Sequence, residues 1–567
     1  GANDGMLHAF HSGDYQSCDI NTGICTYDEG TGEELWAFIP PDLLPKLKKA
    51  LFDHHIFVDA TPMVREIWVD LNDNYKKEWN EYRTVAIIGE REGGVHFSAL
   101  DITDVENPQF LWIFPQPDDP AGNWMGQTWS DHLPHPPSIG PVKVPDPSQP
   151  TGWKERYVVA LNGGFDDMDL RGRGVFIVDA YTGEKVWEYR FDPNATDSRQ
   201  FMRFSFPASP GFASHSWFFG EQDSNKQKLP LFDLMFAGDA GGQIWLFNLR
   251  EPGNWFGYRI FEEEKTSTLL KDKNPFFVLP ALSPLHPYVW AVMMGTGDRK
   301  GMYKCTGSDC TTYNLRPCRR EGCSVVMNTY ERTSDNFTAS QNVSNTSAIT
   351  SDSWSLSEDT GNSCTINDYL NVNISSCINP GLTPAKNASL TCSINGDYIS
   401  CTESSTETGE IKINNPRPQK PPAFYSVRVP ADWIYDMSNH DSERFTDSDL
   451  LNANLGETSS DKYRKGWRFE HQADEIVGTS ASIPMLKLED VLKEGCVTWS
   501  TFKPNCGAGA DPCSTAGAGE GWFYQANFFT GSEESKCKEV FTERGATRAI
   551  LIGSAPPLPP VQSPTYA

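Results

Sequence analysis

Oxygen-bearing side chains occupy alternate positions in Asp70-Leu71-Asn72-Asp73-Asn74, and Glu78 and Glu81 follow. With Asp70 as position 1, the donors Asp70, Asn72, Asn74 and Glu78 fall at positions 1, 3, 5 and 9, and Glu81 falls at 12. That spacing lets a short loop wrap a hard cation, since Ca2+ takes six to eight oxygens and backbone carbonyls such as that of Lys76 can add to the set. A loop of the EF type needs Gly at position 6, where this chain has Tyr75. The competing reading is a solvated polar hairpin tip. A second set of candidate Ca2+ ligands is Asp223, Asn225 and Gln227 with Asp233 downstream, while Asp166-Asp167-Met168-Asp169 reads as a hairpin end. Calcium, if held, is expected in one of the first two loops.

The fourteen cysteines are the other reactive set, and they fall in local groups. These are Cys18 with Cys25, the quartet Cys305, Cys310, Cys318 and Cys323, then Cys364, Cys377, Cys392 and Cys401, and finally Cys496, Cys506, Cys513 and Cys537. An even number placed in polar loops points to disulfides in an oxidising compartment. Short closures such as Cys18–Cys25 and Cys392–Cys401 are expected, but the full connectivity is not readable. The quartet has spacing that zinc tolerates, yet no His lies near it. Signatures of other chemistry are missing: there is no C-x-x-C-H, no H-E-x-x-H, no G-x-S-x-G and no adjacent cysteine pair. His54, His55 and His215 read as surface or packing residues.

These loops need a scaffold, and the chain supplies a repeated one. Gly5–Phe10 leading to Thr31–Trp36, Phe97–Asp104 leading to Phe110–Trp112, and Val175–Asp179 leading to Lys185–Trp187 follow one pattern. In each, a strand ends near Asp or a turn, and the return strand carries Trp. Trp36, Trp112 and Trp187 lie 76 and 75 residues apart, which indicates a radial β repeat with long loops. They are expected to be equivalent and largely buried. Leu234–Leu249, Val289–Gly297, Cys496–Phe502 and a last hairpin at Gly521–Gly531 continue the pattern. Pro137–Val142 and Ser480–Met485 read as inner strands. The expected fold is all-β, a modified six- or seven-bladed β-propeller with a disulfide-rich loop insertion. A β-sandwich with unrelated Trp residues is the alternative.

The domain reading is a first propeller part over 1–304, an insertion over 305–415 rich in Cys, Ser, Thr and Asn, and closing blades with a Pro-rich tail over 416–567. The insertion, poor in large apolar residues, is expected between blades and stapled by its cysteines. Pro556–Val561 is expected to be extended. A start directly inside a strand leads us to expect a longer protein. The net charge of −27 argues against nucleic acid, which needs clustered Lys and Arg. No apolar run approaches the roughly 18 residues of a spanning helix.

Gly1–Phe10 with Gly32–Pro40 resembles the opening blade of the PilY/PilC family, the tip-associated adhesins and assembly factors of bacterial type IV pili. Further along, Phe236-Ala237-Gly238-Asp239 with Ile244–Phe247, Gly295–Arg299, Lys465-Gly466-Trp467, Thr501–Pro504, Asp511–Ser514 and Gly521-Trp522 are similar to family elements in the same order. The resemblance implies a C-terminal propeller exported to the extracellular surface at the pilus tip. It implies a role in pilus assembly and attachment without catalysis, minor pilins as partners, and an upstream von Willebrand A-like domain; a terminal strand or blade edge is expected to make the pilin contact by strand addition. It also places Asp223–Gln227 at the family's calcium loop and links such an ion to control of retraction. Pyrroloquinoline-quinone propeller dehydrogenases, whose Trp-docked hairpins are similar, and envelope assembly scaffolds are the rival classes.

Overall fold

The computed structural model describes residues 1–19, 25–48, 55–116, 124–129, 137–166, 171–216, 231–264, 274–285, 289–297, 421–436, 438–471, 476–477, 496–504, 519–531 and 549–553, with backbone strands between 336 and 412. Within them the chain builds a series of antiparallel sheets. The first pairs Leu7–Phe10 with Glu34–Phe38. The second runs through Met63–Trp68, Tyr82–Gly89, Phe97–Asp101 and Gln109–Phe114, each strand beside the next in sequence. The third repeats this with Ile139–Pro145, Trp153–Asn162, Gly174–Asp179 and Lys185–Arg190. The fourth does so with Gly211–Ala213, Leu234–Gly238, Gln243–Asn248 and Phe256–Glu262. In the fifth, Ala281–Leu285, Val289–Gly295, Ala423–Val429 and Gly466–Glu470 are joined by the parallel strand Leu451–Asn452. The sixth holds Ile476–Val477, Cys496–Pro504, Gly519–Asn527 and Ala549–Gly553.

Packing runs from each sheet to the next. Leu7 and Trp36 of the first sheet share a cluster with Ile88 and Leu100 of the second. Val85 and Trp112 of the second pack with Val159 and Phe176 of the third. Val158 and Tyr189 of the third meet Met235 and Trp245 of the fourth. Tyr258 of the fourth meets Val292 and Tyr425 of the fifth, and Trp467 of the fifth meets Trp499 and Tyr524 of the sixth. A central sheet is therefore buried on both faces. That is why Leu234–Gly238 and Gln243–Asn248 are apolar almost throughout, with every residue buried. Meander sheets stacked face to face in chain order define a β-propeller.

The repeated Trp residues are equivalent by register. Trp36 lies opposite Ala9, Trp112 opposite Ala99 and Trp187 opposite Ile177, each beside a bulge. The indole of Trp36 donates to the Val105 carbonyl at 2.9 Å, and that of Trp112 to the Ala180 carbonyl at 3.2 Å. Each thus reaches the closing turn of the following sheet. Trp112 is buried, whereas Trp36 and Trp187 are only half-buried. The first sheet has two strands to cover Trp36, and Trp187 lies against the partly buried Trp255.

Asp101 and Asp179, which end the third strands, close these turns, and Asp239 closes the turn after the second strand of the fourth sheet. Asp101 accepts the Thr103 amide, Asp179 accepts the Tyr181 and Thr182 amides, and Asp239 accepts the Gly241 and Gln243 amides. A cation from the neighbouring second strand faces two of them: Arg83 lies 3.7 Å from Asp101 and Arg156 lies 2.5 Å from Asp179.

The segment expected between blades instead departs from inside one. Val289–Gly295 and Ala423–Val429 are paired neighbours in the fifth sheet, with Trp290 opposite Val429 and Gly295 opposite Phe424. Everything between them is an excursion from one sheet edge-to-edge step. Its backbone places Cys392 directly opposite Cys401 on adjacent strands. Between the two strands of the first sheet, Tyr15–Cys18 and Cys25–Tyr27 form a separate exposed hairpin bridged by a Cys18–Cys25 disulfide. Closing so short a loop restricts the unfolded chain by about 2–3 kcal/mol. The expected last hairpin at Gly521–Gly531 is one strand and a turn, and its return strand is Ala549–Gly553. Ser480–Met485, the Cys305–Cys323 quartet and Pro556–Val561 lie outside the described residues. Among the described residues, no helix is long and apolar enough to cross a membrane.

Candidate functional site

The Asp70–Glu78 loop joins the first two strands of the second sheet. Its base is closed by Glu81, which is fully buried. One Glu81 oxygen accepts the Trp68 indole at 2.8 Å, and the carboxylate also accepts the amides of Leu71 and Glu78, each at 3.3 Å. Glu81 is therefore the loop's anchor rather than its twelfth-position ligand. Its neighbours explain this: Glu81 immediately precedes the strand Tyr82–Gly89 and faces the sheet, whereas residues 71–80 are exposed.

Above that anchor the other donors converge. The Asp70 carboxylate accepts the Asn74 amide at 3.1 Å and the Tyr75 amide at 3.0 Å. The Asn72 side-chain oxygen accepts the Asn74 amide at 3.0 Å, and the Asn74 side-chain oxygen accepts the Lys76 amide at 2.7 Å. Glu78 receives the side-chain amides of Asn72 at 3.3 Å and Asn74 at 3.2 Å, one on each carboxylate oxygen. Asp70, Asn72, Asn74 and Glu78 are thus tied into one hydrogen-bonded loop. The donor set is hard, with two carboxylates and two amides, and fits Ca2+ rather than a thiophilic metal.

Tyr75 resolves the missing glycine in an unexpected way. It adopts φ +58° and Asp73 adopts φ +56°, so the loop makes its left-handed turn with side chains present. Such conformations are uncommon outside Gly, Asn and Asp. Contacts with the third sheet hold Tyr75 there: its hydroxyl donates to Asp146 at 3.1 Å, and Lys154 lies 5.9 Å from its ring centroid. Lys77 adds an ion pair to Glu155 at 2.7 Å and lies over the Trp68 ring. The loop is braced against the neighbouring hairpin.

The second candidate loop is not brought together in the same way. Asp223, Asn225 and Gln227 lie outside the described residues. Asp233 is buried, and its carboxylate accepts the His215 amide at 2.6 Å, the Ser216 amide at 3.0 Å and the Ser216 hydroxyl. Burial raises its pKa despite those bonds. His215, read as a packing residue, is fully buried and accepts the Trp290 indole at 3.1 Å. Burial, with Arg250 nearby, pushes it down to about 4 and keeps the ring neutral.

The fold defines a class: a β-propeller, here with an Asp- and Asn-rich loop braced on one blade. Among known proteins, the chain is similar to the type IV pilus biogenesis factors named PilY1. It is 26% identical over 269 residues to a PilY1 homolog of Xylella fastidiosa, covering 45% of this chain and 14% of that protein. It is 26% identical over 257 residues to PilY1 of Pseudomonas aeruginosa, covering 44% of this chain and 17% of that protein. The chain therefore spans under a fifth of the length of these relatives. The solved C-terminal domain of P. aeruginosa PilY1 aligns over 98% of this chain and 85% of its own, at 15% identity and a TM-score of 0.45. No family model matches.

Proposed function

We propose that this chain is the propeller part of a type IV pilus biogenesis factor that works by binding, without catalysis, at the exported end of the pilus system. The observation that carries this reading is the similarity to PilY1 factors over nearly half the chain. Minor pilins are the proposed partners, contacted by addition of a strand to a sheet edge, and the proposed location is the pilus tip on the cell surface. Immunogold labelling of sheared pili is expected to place gold at filament ends, and deletion of the gene is expected to reduce surface pili. Label confined to the cell envelope, with unchanged piliation in the deletion strain, would instead favour an envelope scaffold.

The Asp70–Glu78 loop is proposed to hold one Ca2+, with Asp70, Asn72, Asn74 and Glu78 as ligands and the Lys76 carbonyl and water completing the shell. The ion would stiffen an exposed loop far from any reacting group, which suits regulation. Isothermal titration is expected to show one Ca2+ bound with Kd of roughly 10⁻⁵ to 10⁻³ M, the range of exposed loops with few carboxylates. Asp70→Ala is expected to weaken it at least about tenfold, while Asp223→Ala leaves it unchanged. Equal heats from wild type and Asp70→Ala, or none from wild type, would remove this loop from the mechanism.

A further inference from the structure

A second group of metal-type donors lies between the first two sheets, away from the Asp70 loop. Asp42 comes from the connection that follows the strand Glu34–Phe38. Glu90 and His96 flank the hairpin between Tyr82–Gly89 and Phe97–Asp101. One ligand atom from each of Asp42, Glu90 and His96 lies within 4.8 Å of the others. This is the one such cluster of three His, Cys, Asp or Glu residues among the described residues.

The side chains face one another closely, but several of their polar atoms lack a well-formed hydrogen bond. Glu90 is 1% exposed, and its carboxylate faces the Asp42 carboxylate and the His96 backbone amide without a well-formed hydrogen bond. The Asp42 Oδ1 atom is likewise buried without a partner. His96 Nδ1 lies 3.2 Å from Asp42 Oδ2, yet the approach lacks hydrogen-bond geometry. A buried carboxylate with no donor is costly unless a proton or a cation neutralises it. Two carboxylates and an imidazole gathered around one point, with few well-formed hydrogen bonds among them, are what a cation would complete.

The chain also makes room for this arrangement. A Cβ on Gly94 would come within 1.5 Å of Glu90 Oε2, and one on Gly93 within 1.8 Å of the Phe57 carbonyl oxygen. The Gly93-Gly94 step lets the hairpin fold over the carboxylate. Asp42 Oδ2 also receives the Lys46 ammonium at 3.1 Å, but the Lys46 side chain is 39% exposed and can leave to solvent. Metal–ligand bonds of about 2.0–2.2 Å put neighbouring ligand atoms about 3.0–3.5 Å apart. The Asp42–His96 separation already lies in that interval, so Glu90 alone must close.

We infer that Asp42, Glu90 and His96 form a binding site for one divalent first-row transition ion, which pins the first sheet to the second. One imidazole and two carboxylates form a donor set of intermediate hardness. It is too poor in oxygens for Ca2+ and lacks the thiolates that Cu(I) prefers. Two carboxylates neutralise the ion, and water fills the position left by three protein ligands. The expected order of affinity is Zn2+ above Co2+ above Mn2+.

The test uses the full chain without a polyhistidine tag, freed of metal by chelator and then titrated with Co2+ and Zn2+. Wild type is expected to take up one equivalent of Co2+ with visible absorption bands, to release it to Zn2+, and to retain it against a hundredfold excess of Ca2+. Glu90→Gln and His96→Asn are each expected to weaken uptake at least tenfold, with near-ultraviolet circular dichroism unchanged, while Asp70→Ala leaves it intact. If Glu90→Gln fails to fold, the more accessible His96→Asn variant decides. The inference is overturned if folded wild type takes up no stoichiometric Co2+ or Zn2+, or if uptake is the same in His96→Asn as in wild type. The first of those results would leave Glu90 as a carboxyl neutralised by a proton.

Discussion

Replacing Asp239 by Ala is expected to destabilise the protein by about 3–5 kcal/mol, seen as a lower urea midpoint. Asp239 is fully buried at the tight turn between Leu234–Gly238 and Gln243–Asn248. One carboxylate oxygen accepts the amides of Gly241 at 2.8 Å and Gln243 at 3.1 Å, and the other accepts the Trp245 indole at 3.0 Å. Alanine would leave those donors buried without that acceptor, and the cost of such donors exceeds the net value of the bonds themselves. Trp245 is itself fully buried in the cluster between the third and fourth sheets. Loss of its anchor therefore disturbs sheet packing as well as the turn. Asp239→Asn keeps an oxygen for the amides and places a donor near the indole, so an intermediate loss is expected. A variant Asp239→Ala within about 1 kcal/mol of wild type would show that water satisfies this turn.

Trp112→Ala is expected to cost a similar amount, about 3–5 kcal/mol, mainly through the cavity left between sheets. Trp112 is 3% exposed and rests on the turn of the third sheet. A Cβ on Gly183 would lie only 2.6 Å from the indole, at a backbone φ of +75°. Gly183→Ala is accordingly expected to lose about 1–3 kcal/mol through crowding and left-handed strain. If the indole truly docks on that turn, the two changes are coupled. Gly183→Ala made in the Trp112→Ala background would lose only its strain part. Strict additivity in this double-mutant cycle, measured by urea unfolding, would contradict the docking.

The hairpin repeat was legible because its determinants are local. A strand ending in Asp, a turn with Thr and Gly, and a return strand with Trp can be read from a dozen residues. The structure keeps an Asp-closed turn at Asp101 and Asp179, and Asp239 closes a Gly-rich turn one strand earlier in its sheet. The Asp70 loop was half legible for the same reason. Alternation at Asp70, Asn72 and Asn74 is a local pattern, and local hydrogen bonds assemble it. Tyr75 was read as a defect because its compensation comes from Asp146, 71 residues away. The strand Ala549–Gly553 was passed over, as a five-residue apolar run carries little periodicity of its own.

By itself the sequence determined strand and turn chemistry, the Trp period and the donor types of the Asp70 loop, because neighbouring residues settle all of these. Only the tertiary structure decided which of two similar acids does which work. Glu78 faces solvent and the loop amides, while Glu81, three residues on, is drawn under the Trp68 indole where the strand begins. It also decided that Trp112 is buried and Trp36 half-buried, since burial depends on what the next sheet supplies. It put the long excursion inside the fifth sheet, because strand pairing ignores distance along the chain. And it brought Asp42 to Glu90 and His96, which have no common motif and meet only because two sheets stack face to face.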